Sequence, residues 1–222
     1  MFLIFLKRIL SHFIDFKIDS FPSSLNNVLE VWYSNGKLVL HSANANYSFG
    51  SLHFIFQDAF KISDLKNNPP TNLLILGFGA GSIVKIIREE FKLNFPITAV
   101  EYDKTIIEIG EQYFNTSAYK NLKIINEDAY QFTFAQVEPY SYIIIDLFKD
   151  TEVPDQFIEV LFLNQINKIL LPGGILFFNI MVSTPSQIQK MNTLLEIFKS
   201  FSGKLEMAEP LSTNKVFIWR KK

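Results

Sequence analysis

The chain has 222 residues, of which 48% are hydrophobic and 19% are charged, and this balance predicts a globular protein with a packed core. The formal net charge is −1, and lysine and arginine are scattered among acidic residues, so nucleic acid is not expected as a partner. Because cysteine is absent, disulfides, a thiolate nucleophile and a cysteine-ligated zinc site are excluded.

The first residues predict an amphipathic helix. Apolar side chains recur at helical spacing from Phe2 to Phe13, which is typical of a helix that packs on the protein body or on a second subunit as a homodimer. A helix lying on a membrane surface is the alternative. Lys7 and Arg8 follow the apolar run, which reverses the order of a signal peptide, and no run reaches the roughly 18 apolar residues of a membrane span. We therefore expect no membrane span and a cytoplasmic location.

A β-hairpin and a second helix are predicted next. Val28–Tyr33 and Lys37–His41 are apolar runs joined by Ser34-Asn35-Gly36, and Asn-Gly between two such runs indicates a tight turn because both residues tolerate positive φ. An apolar stripe then indicates a helix over Phe49–Phe60. The break at Asn67-Asn68-Pro69-Pro70 divides the chain into an N-terminal region, 1–68, and a second domain, 69–222.

The second domain alternates strands with helices. Continuous apolar runs, typical of strands buried on both faces, lie at Asn72–Leu76, Ile97–Glu101, Leu122–Ile125, Tyr142–Asp146 and Ile175–Ile180. Helical stretches lie between and after them, at Gly81–Lys92, Lys104–Phe114, Asp155–Leu170 and Pro185–Ser200. The last runs, Lys204–Ala208 and Lys215–Arg220, leave no room for a helix between them and are expected to pair antiparallel. The pattern predicts an α/β, Rossmann-like fold with a seven-stranded, mostly parallel sheet whose last strand is antiparallel.

A glycine-rich loop, Gly77-Phe78-Gly79-Ala80-Gly81, follows the first of these strands and opens a helix. Glycines at this place let the backbone approach a nucleotide closely, and a helix N-terminus offers unpaired N–H donors. A dinucleotide loop would carry a further glycine at position 82, where this chain has Ser82, so an NAD-linked dehydrogenase is a weaker alternative.

Carboxylates stand where the following strands end. Glu101 is placed to accept the two hydroxyls of a ribose, and Asp128, with Ala129 beside it, is placed to contact a base such as adenine. For Asp128 and for Asp103 the alternative is an N-cap for the next helix.

The fourth strand ends at Asp146, in the crevice where open α/β sheets bind ligands, so Asp146 is a candidate catalytic residue. Asp150 in the next loop is a second candidate, with an exposed loop acid as the alternative. His12, His41 and His53 lack the spacing of metal ligands, and no metal site is expected.

Residues 70–222 resemble the S-adenosylmethionine (SAM)-dependent methyltransferase superfamily in the order and spacing of five segments. These are Leu74–Gly81, Val100-Glu101-Tyr102-Asp103, Glu127-Asp128-Ala129, Ile145-Asp146 and Leu171-Pro-Gly-Gly-Ile175. The resemblance implies the class I methyltransferase fold and a cofactor site formed by Gly77, Phe78, Gly79, Gly81, Glu101, Tyr102, Asp128, Ala129 and Asp146.

The nearer resemblance is to the spermidine synthase-like branch. The first strand ends Ile75-Leu76-Gly77 without an acidic residue, and the second reads Val-Glu-Tyr-Asp. A hairpin and helix precede the nucleotide-binding domain, as a small N-terminal domain does in that branch.

Three segments differ from true spermidine synthases. Their glycine loop carries an aspartate that helps to hold the amine of the aminopropyl donor, and this chain has Ala80 there. Their two catalytic-loop carboxylates are three residues apart, whereas Asp146 and Asp150 are four apart; their Tyr-His-Glu or Tyr-Gln-Glu segment is replaced by Gly50-Ser51-Leu52-His53. The resemblance therefore implies a SAM-binding methyltransferase with a small-molecule acceptor. An aminopropyltransferase using decarboxylated SAM and a non-catalytic binding protein remain the alternatives.

Overall fold

Strands from distant parts of the chain form one large sheet in the computed structural model, which describes residues 2–42, 46–48, 51–211 and 213–222. Its order is β10-β11-β9-β8-β5-β6-β7, with β11 antiparallel to both of its neighbours and parallel pairing from β9 to β7. The strands are β5 Leu73–Leu76, β6 Ile97–Glu101, β7 Leu122–Asn126, β8 Tyr140–Ile145, β9 Leu170–Met181, β10 Gly203–Leu211 and β11 Asn214–Lys221. The predicted seven-stranded, mostly parallel sheet with an antiparallel last strand is confirmed.

Both faces of the large sheet are covered. Along β5, Leu74 and Leu76 point into one hydrophobic cluster, whereas Leu73 and Ile75 point into the other. All four side chains are buried, which explains why the strand reads as a continuous apolar run. The helices are α1 Phe2–Leu10, α2 Ser51–Ile62, α3 Ser82–Lys85, α4 Lys104–Phe114, α5 Ala129–Ala135, α6 Val160–Ile169 and α7 Pro185–Ser200.

Two predicted helices are interrupted. The stretch predicted over 81–92 begins as α3 and continues as a π-helix, Ile86–Glu90, in which Ile86 and Ile87 are both buried. The stretch predicted over 155–170 consists of a 3₁₀ turn, Asp155–Phe157, followed by α6. In both places the apolar periodicity identified a helical segment but not the change of hydrogen-bonding pattern within it.

A second sheet, with the order β1-β2-β3-β4, is formed by residues of the N-terminal region. Its strands are β1 Phe16–Ser23, β2 Asn27–Ser34, β3 Lys37–Ser42 and β4 Asn46–Ser48. The predicted hairpin is confirmed: Ser34 pairs with Lys37, and Asn35 and Gly36 have φ of 48° and 74°. Strand β1 was not predicted, because Lys17, Asp19 and Ser20 are exposed and its sequence lacks a clear apolar run.

The small sheet packs against helix α4 and the glycine loop. Leu29, Val31, Val39 and Leu40 form one hydrophobic cluster with Ala80, Ile106 and Ile109. At the edge of this contact the hydroxyl of Ser23 donates to Asp103, and the hydroxyl of Tyr113 donates to Asp19. The N-terminal sheet is thus in direct contact with the elements that carry the predicted site.

Helix α1 is attached to the turn of the β2–β3 hairpin. Arg8 Nε donates to the Gly36 carbonyl at 3.2 Å, and the backbone N–H of Asn35 donates to the Ser11 carbonyl at 2.9 Å. Beyond the helix, Phe13 is 86% exposed. Within the described ranges, every helix is too short or too polar to cross a bilayer.

Helix α2 packs on the large sheet. Ile55, Phe56 and Phe60 are buried as the apolar stripe predicted. The Phe60 ring packs edge-on against the Phe177 ring of β9, with 5.4 Å between the ring centroids. The predicted start of this helix at Phe49 lies outside the described residues.

Candidate functional site

A cavity of about 510 Å³ opens at the C-terminal ends of the parallel strands, at the edge of the sheet where α/β folds bind ligands. The predicted residues that line it are Gly77, Gly79, Glu101, Tyr102, Asp128, Ala129, Asp146 and Asp150. Strand ends that are far apart in sequence therefore bring most of the predicted residues to one cavity.

The glycine loop passes very close to strand β8. Gly77 has φ of 91°, and a Cβ atom at this position would lie 2.1 Å from the Asp146 carbonyl oxygen. The N–H groups of Gly77 and Phe78 both donate to the Val100 carbonyl of β6. Glycine is thus required at position 77 by its backbone conformation and by the neighbouring chain.

Phe78 and Gly81 do not line the cavity. The Phe78 side chain is 3% exposed and packs in the core on the α2 side of the sheet. A Cβ atom at Gly81 would lie 2.7 Å from the Thr116 Cγ2 atom, so this glycine allows the loop to pack on the segment after α4. A cofactor role for these two residues stays a prediction.

Glu101 is 5% exposed and lies between the glycine loop and helix α4. Its Oε2 accepts the Gly79 N–H at 2.9 Å, and its Oε1 accepts the Asp103 N–H at 3.0 Å. Burial raises the pKa of this carboxyl to about 7, although the hydrogen bonds from Asp103 and Gly79 lower it. Because an ionised carboxylate has about four lone-pair directions, further hydrogen bonds from a ligand remain compatible with these two.

Asp103 and Asp128 each cap the helix that follows, which is the alternative role that the sequence suggested for both. Asp103 Oδ1 accepts the Thr105 N–H and caps α4, and its side chain is 2% exposed. Asp128 Oδ1 accepts the Gln131 N–H at 2.9 Å and caps α5, while Asp128 also lines the cavity. For Asp128, capping and a position facing the cavity occur together.

Asp146 follows directly after β8. Its Oδ1 accepts a hydrogen bond from the Asn179 side chain at 2.9 Å. Burial raises the pKa of the Asp146 carboxyl to about 6, and the Asn179 hydrogen bond opposes this rise. Asp150 lies on the same wall of the cavity, and its own backbone φ is 55°.

The C-terminal hairpin and the β1–β2 turn also reach the cavity, and neither was predicted to form its wall in this way. Thr213 and Asn214 line it from the start of β11, and Leu25 lines it from the turn after β1. The turn of the β2–β3 hairpin does not line the cavity and packs against α1. Thr213 and Asn214 could not be identified from the sequence as cavity-lining residues, because single polar residues on strands have no characteristic spacing.

The loop from Asp146 to Pro154 forms the other wall and is held by helix α7. Gln187 Nε2 donates to the Thr151 carbonyl at 3.0 Å, and Lys190 Nζ donates to the Val153 carbonyl at 2.7 Å. Lys190 also pairs with Asp155 at 2.8 Å. These contacts fix the loop that carries Asp150.

In the part of the chain that the structure describes, the side chains of His, Asp and Glu form no group of three or more that could hold a metal ion. His53 instead contacts Ser82 and Glu90, and so joins α2 to the helix after the glycine loop.

Two curated relatives share part of this sequence. A protein of Bifidobacterium longum described as a probable polyamine aminopropyl transferase is 26% identical over 152 residues, 67% of this chain and 33% of that protein. The eEF1A lysine and N-terminal methyltransferase of Bos taurus is 30% identical over 131 residues, 54% of this chain and 19% of that protein. The chain therefore spans between a fifth and a third of these relatives.

The fold is also found in solved structures. Human methyltransferase-like protein 13, in complex with SAH, superposes with a TM-score of 0.62 at 21% identity, over 78% of this chain and 79% of that chain. The family model for the spermine/spermidine synthase domain matches residues 58–212. This match covers the large sheet from before β5 through β10 and includes the predicted residues that line the cavity. The chain belongs to the spermine/spermidine synthase domain family and has the Rossmann-like fold of class I methyltransferases.

Proposed function

We propose that this chain is a SAM-binding transferase that transfers a methyl group to a small-molecule acceptor. The observation that carries the proposal is the meeting of the glycine loop, Glu101, Asp128 and Asp146 around one cavity at the ends of β5 to β8. Each was predicted separately from the sequence, and a volume of about 510 Å³ is within the range of small-molecule sites.

The residues that line the cavity fit an adenosyl group. Glu101 is the acceptor for ribose hydroxyls, and Asp128 with Ala129 is the contact for adenine, with Tyr102 at the rim, where it is 56% exposed. When bound, SAM supplies an electrophilic methyl group. The chain's own contribution is to orient the acceptor and to accept its proton.

Asp146 is the candidate proton acceptor. It lines the cavity, and burial raises its pKa to about 6. This pKa still lies below neutral pH, so Asp146 is mainly ionised there, and it is a better base than an exposed aspartate. Asp150, on the same wall, adds negative charge that favours an amine as the acceptor.

Methyl transfer is favoured over aminopropyl transfer by the glycine loop, which carries no carboxylate. Ala80 is 0% exposed and faces the small sheet rather than the cavity, so this loop offers no partner to an amine of the donor. Decarboxylated SAM has lost its own carboxylate and keeps the amine, and burying a cation without a partner is costly. Aminopropyl transfer is the second candidate, because the family and the Bifidobacterium longum relative carry that name.

Calorimetric titration of the full chain with SAM, decarboxylated SAM and NAD tests the proposal. We expect SAM to bind with micromolar affinity and more tightly than decarboxylated SAM. A preference for the decarboxylated form would replace the proposal with aminopropyl transfer. If none of the three binds, the chain is a non-catalytic member of the fold, and NAD binding alone would indicate a dehydrogenase.

Five further expectations are part of the proposal. Residues 1–68 form an N-terminal region that packs on a cofactor-binding domain, 69–222, and the protein works in the cytoplasm. No metal ion is used and no nucleic acid is bound. A homodimer through the N-terminal region is supported by exposed apolar residues next to α1, such as Phe13 and Ile14, which are 86% and 68% exposed. Sedimentation velocity of the chain with and without Phe13→Ser tests the dimer.

A further inference from the structure

We propose that Asn179 and Asn214 are positioning residues for Asp146, and that hydrogen bonds running from Thr213 through both amides hold the Asp146 carboxylate in place on the cavity wall. The inference deepens the proposed function and rests on it where Asp146 is taken as the proton acceptor. The hydrogen-bonded series itself is a property of the unliganded chain.

The geometry joins three segments of the large sheet. Thr213 Oγ1 donates to Asn214 Oδ1 at 3.1 Å, and Asn214 Nδ2 donates to Asn179 Oδ1 at 3.3 Å. Asn179 Nδ2 then donates to Asp146 Oδ1 at 2.9 Å. Asn179 lies on β9, between the strand that leads to Asp146 and the strand that begins with Asn214.

The series has one consistent direction. An ionised carboxylate only accepts hydrogen bonds, so the Asn179 side chain must present its NH₂ group to Asp146 and its carbonyl oxygen to Asn214. Asn214 must therefore present its own NH₂ group, which leaves its oxygen for the Thr213 hydroxyl. Asn179 is 0% exposed and Asn214 is 4% exposed, so water cannot readily replace these partners.

Burying an amide without a hydrogen-bond partner would lower the stability of the fold. With Asp146 as an acceptor, the Asn179 and Asn214 amides can satisfy each other only when both side chains are in the orientation described above. The arrangement occupies one oxygen of Asp146. It thereby leaves the other oxygen as the acceptor for a proton of the substrate. The charged groups that share the cavity with Asp146 are Glu101 from β6, Asp128 after β7, and Lys149 and Asp150 from its own loop.

The test is a carbon-13 NMR titration of the aspartate carboxyl groups in the full chain without ligand. The Asp146 resonance is identified by its loss in Asp146→Asn. We expect Asn179→Leu to lower the acid dissociation constant of Asp146 by about tenfold or more, the size for losing a hydrogen bond to a charged group. We expect a smaller change, about two- to threefold, in Asn214→Leu.

Asn214→Leu separates the proposal from a simple change of polarity beside the carboxylate. Asn214 bonds to Asn179, so its effect on Asp146 must pass through the Asn179 amide. Ser141→Ala is the matched control, because Ser141 bonds to Asn72 at the opposite end of β8 and its loss should leave the Asp146 titration unchanged.

An unchanged Asp146 titration in folded Asn179→Leu would overturn the proposal. If Asn179→Leu does not fold, Asn214→Leu decides, and an unchanged titration there has the same meaning. Because the measurement needs no ligand, it can fail while SAM binding succeeds, and the reverse also holds. Failure of the positioning role is thus distinguishable from failure of the proposed function.

Discussion

The Glu101 carboxyl accepts the Gly79 backbone N–H at 2.9 Å, so the end of strand β6 and the middle of the glycine loop are joined by one buried hydrogen bond. The other oxygen of the same carboxyl accepts the Asp103 N–H at 3.0 Å. The residue proposed to hold a ribose therefore also determines the shape of the loop beside it.

We expect Glu101→Ala to weaken SAM binding by about 1–3 kcal/mol, the usual effect of removing a buried hydrogen-bond acceptor. The same change leaves the Gly79 and Asp103 amides without their partner, so the free energy of unfolding should also fall. Titration calorimetry well below the unfolding temperature separates the two effects. Glu111→Ala, at an exposed residue of α4, is the control, and unchanged SAM affinity in Glu101→Ala would count against the site.

Stability should depend on pH through Glu101. The folded pKa of about 7 lies above the ordinary value of 4.5, so between these values the folded chain binds a proton that the unfolded chain has released. The contribution of Glu101 to stability is therefore largest at low pH and falls as the pH rises from about 4.5 to about 7. Asp146, with a pKa of about 6, acts in the same direction.

Urea unfolding of the chain and of Glu101→Gln across this pH range measures the effect. We expect the difference in unfolding free energy between the two proteins to change steadily up to a pH near 7 and then to level off. A difference that is constant with pH would mean that Glu101 titrates normally.

Gly77→Ala should destabilise the fold more than Gly173→Ala. Both glycines have positive φ, 91° and 75°, so alanine is strained at both, by about 1–2 kcal/mol. At Gly173 an added Cβ atom meets nothing within 4 Å, whereas at Gly77 it meets the Asp146 carbonyl oxygen at 2.1 Å. The difference between the two unfolding free energies isolates the clash, and equal values would mean that β8 can move away from the loop at little cost.

Ala80→Asp should not convert the chain to a preference for decarboxylated SAM. The side chain at position 80 faces the small sheet, in contact with its apolar residues, and not the cavity. A carboxyl group there would be buried without a partner, so we expect a lower unfolding temperature and little change in the ratio of the two affinities. Ala80→Asn controls for size, and a gain in affinity for decarboxylated SAM that is specific to Ala80→Asp would contradict this expectation.

Lys190→Met should loosen the loop that carries Asp150. The Lys190 ammonium group holds the Val153 carbonyl and the Asp155 carboxylate, at 2.7 and 2.8 Å. Because Asp155 is largely exposed, the global stability change should be only about 0–1 kcal/mol. Hydrogen exchange measured by mass spectrometry should show faster exchange in residues 149–155. Lys199→Met, which removes an exposed pair with Glu196 on the same helix, should leave that segment unchanged.

The large sheet could be predicted because most of its parallel strands are buried on both faces and read as apolar runs, as in Tyr142–Ile145, whereas the edge strand β7 is only partly buried. Strand β1 could not, because it lies at the edge of the small sheet and Lys17, Asp19 and Ser20 face solvent. The composition of Pro172-Gly173-Gly174 is typical of a turn, but this segment is the irregular start of β9, where the pairing with β8 shifts register.

The candidate site could be predicted where a residue follows a strand, as Glu101 and Asp146 do, because position along the chain then determines position at the sheet edge. Asn179 and Asn214 lie 35 residues apart within or at the start of strands, and only the pairing of β9 with β11 brings them together. Phe78 shows the opposite case. Its place in the loop suggested a contact with a ligand, but its side chain turns into the core.

The contact of Ser23 with Asp103, two residues after Glu101, limits how freely the parts of this chain can be exchanged with those of its relatives. A chimera that replaced residues 1–42 would remove the Ser23 hydroxyl that donates to Asp103 and would uncover Ala80, although every residue lining the cavity from β5 onward was kept. A working chimera would also need the face of α4 that packs on the small sheet, which carries Ile106 and Ile109. The N-terminal sheet and the cofactor loop have therefore to be inherited, or redesigned, as one unit.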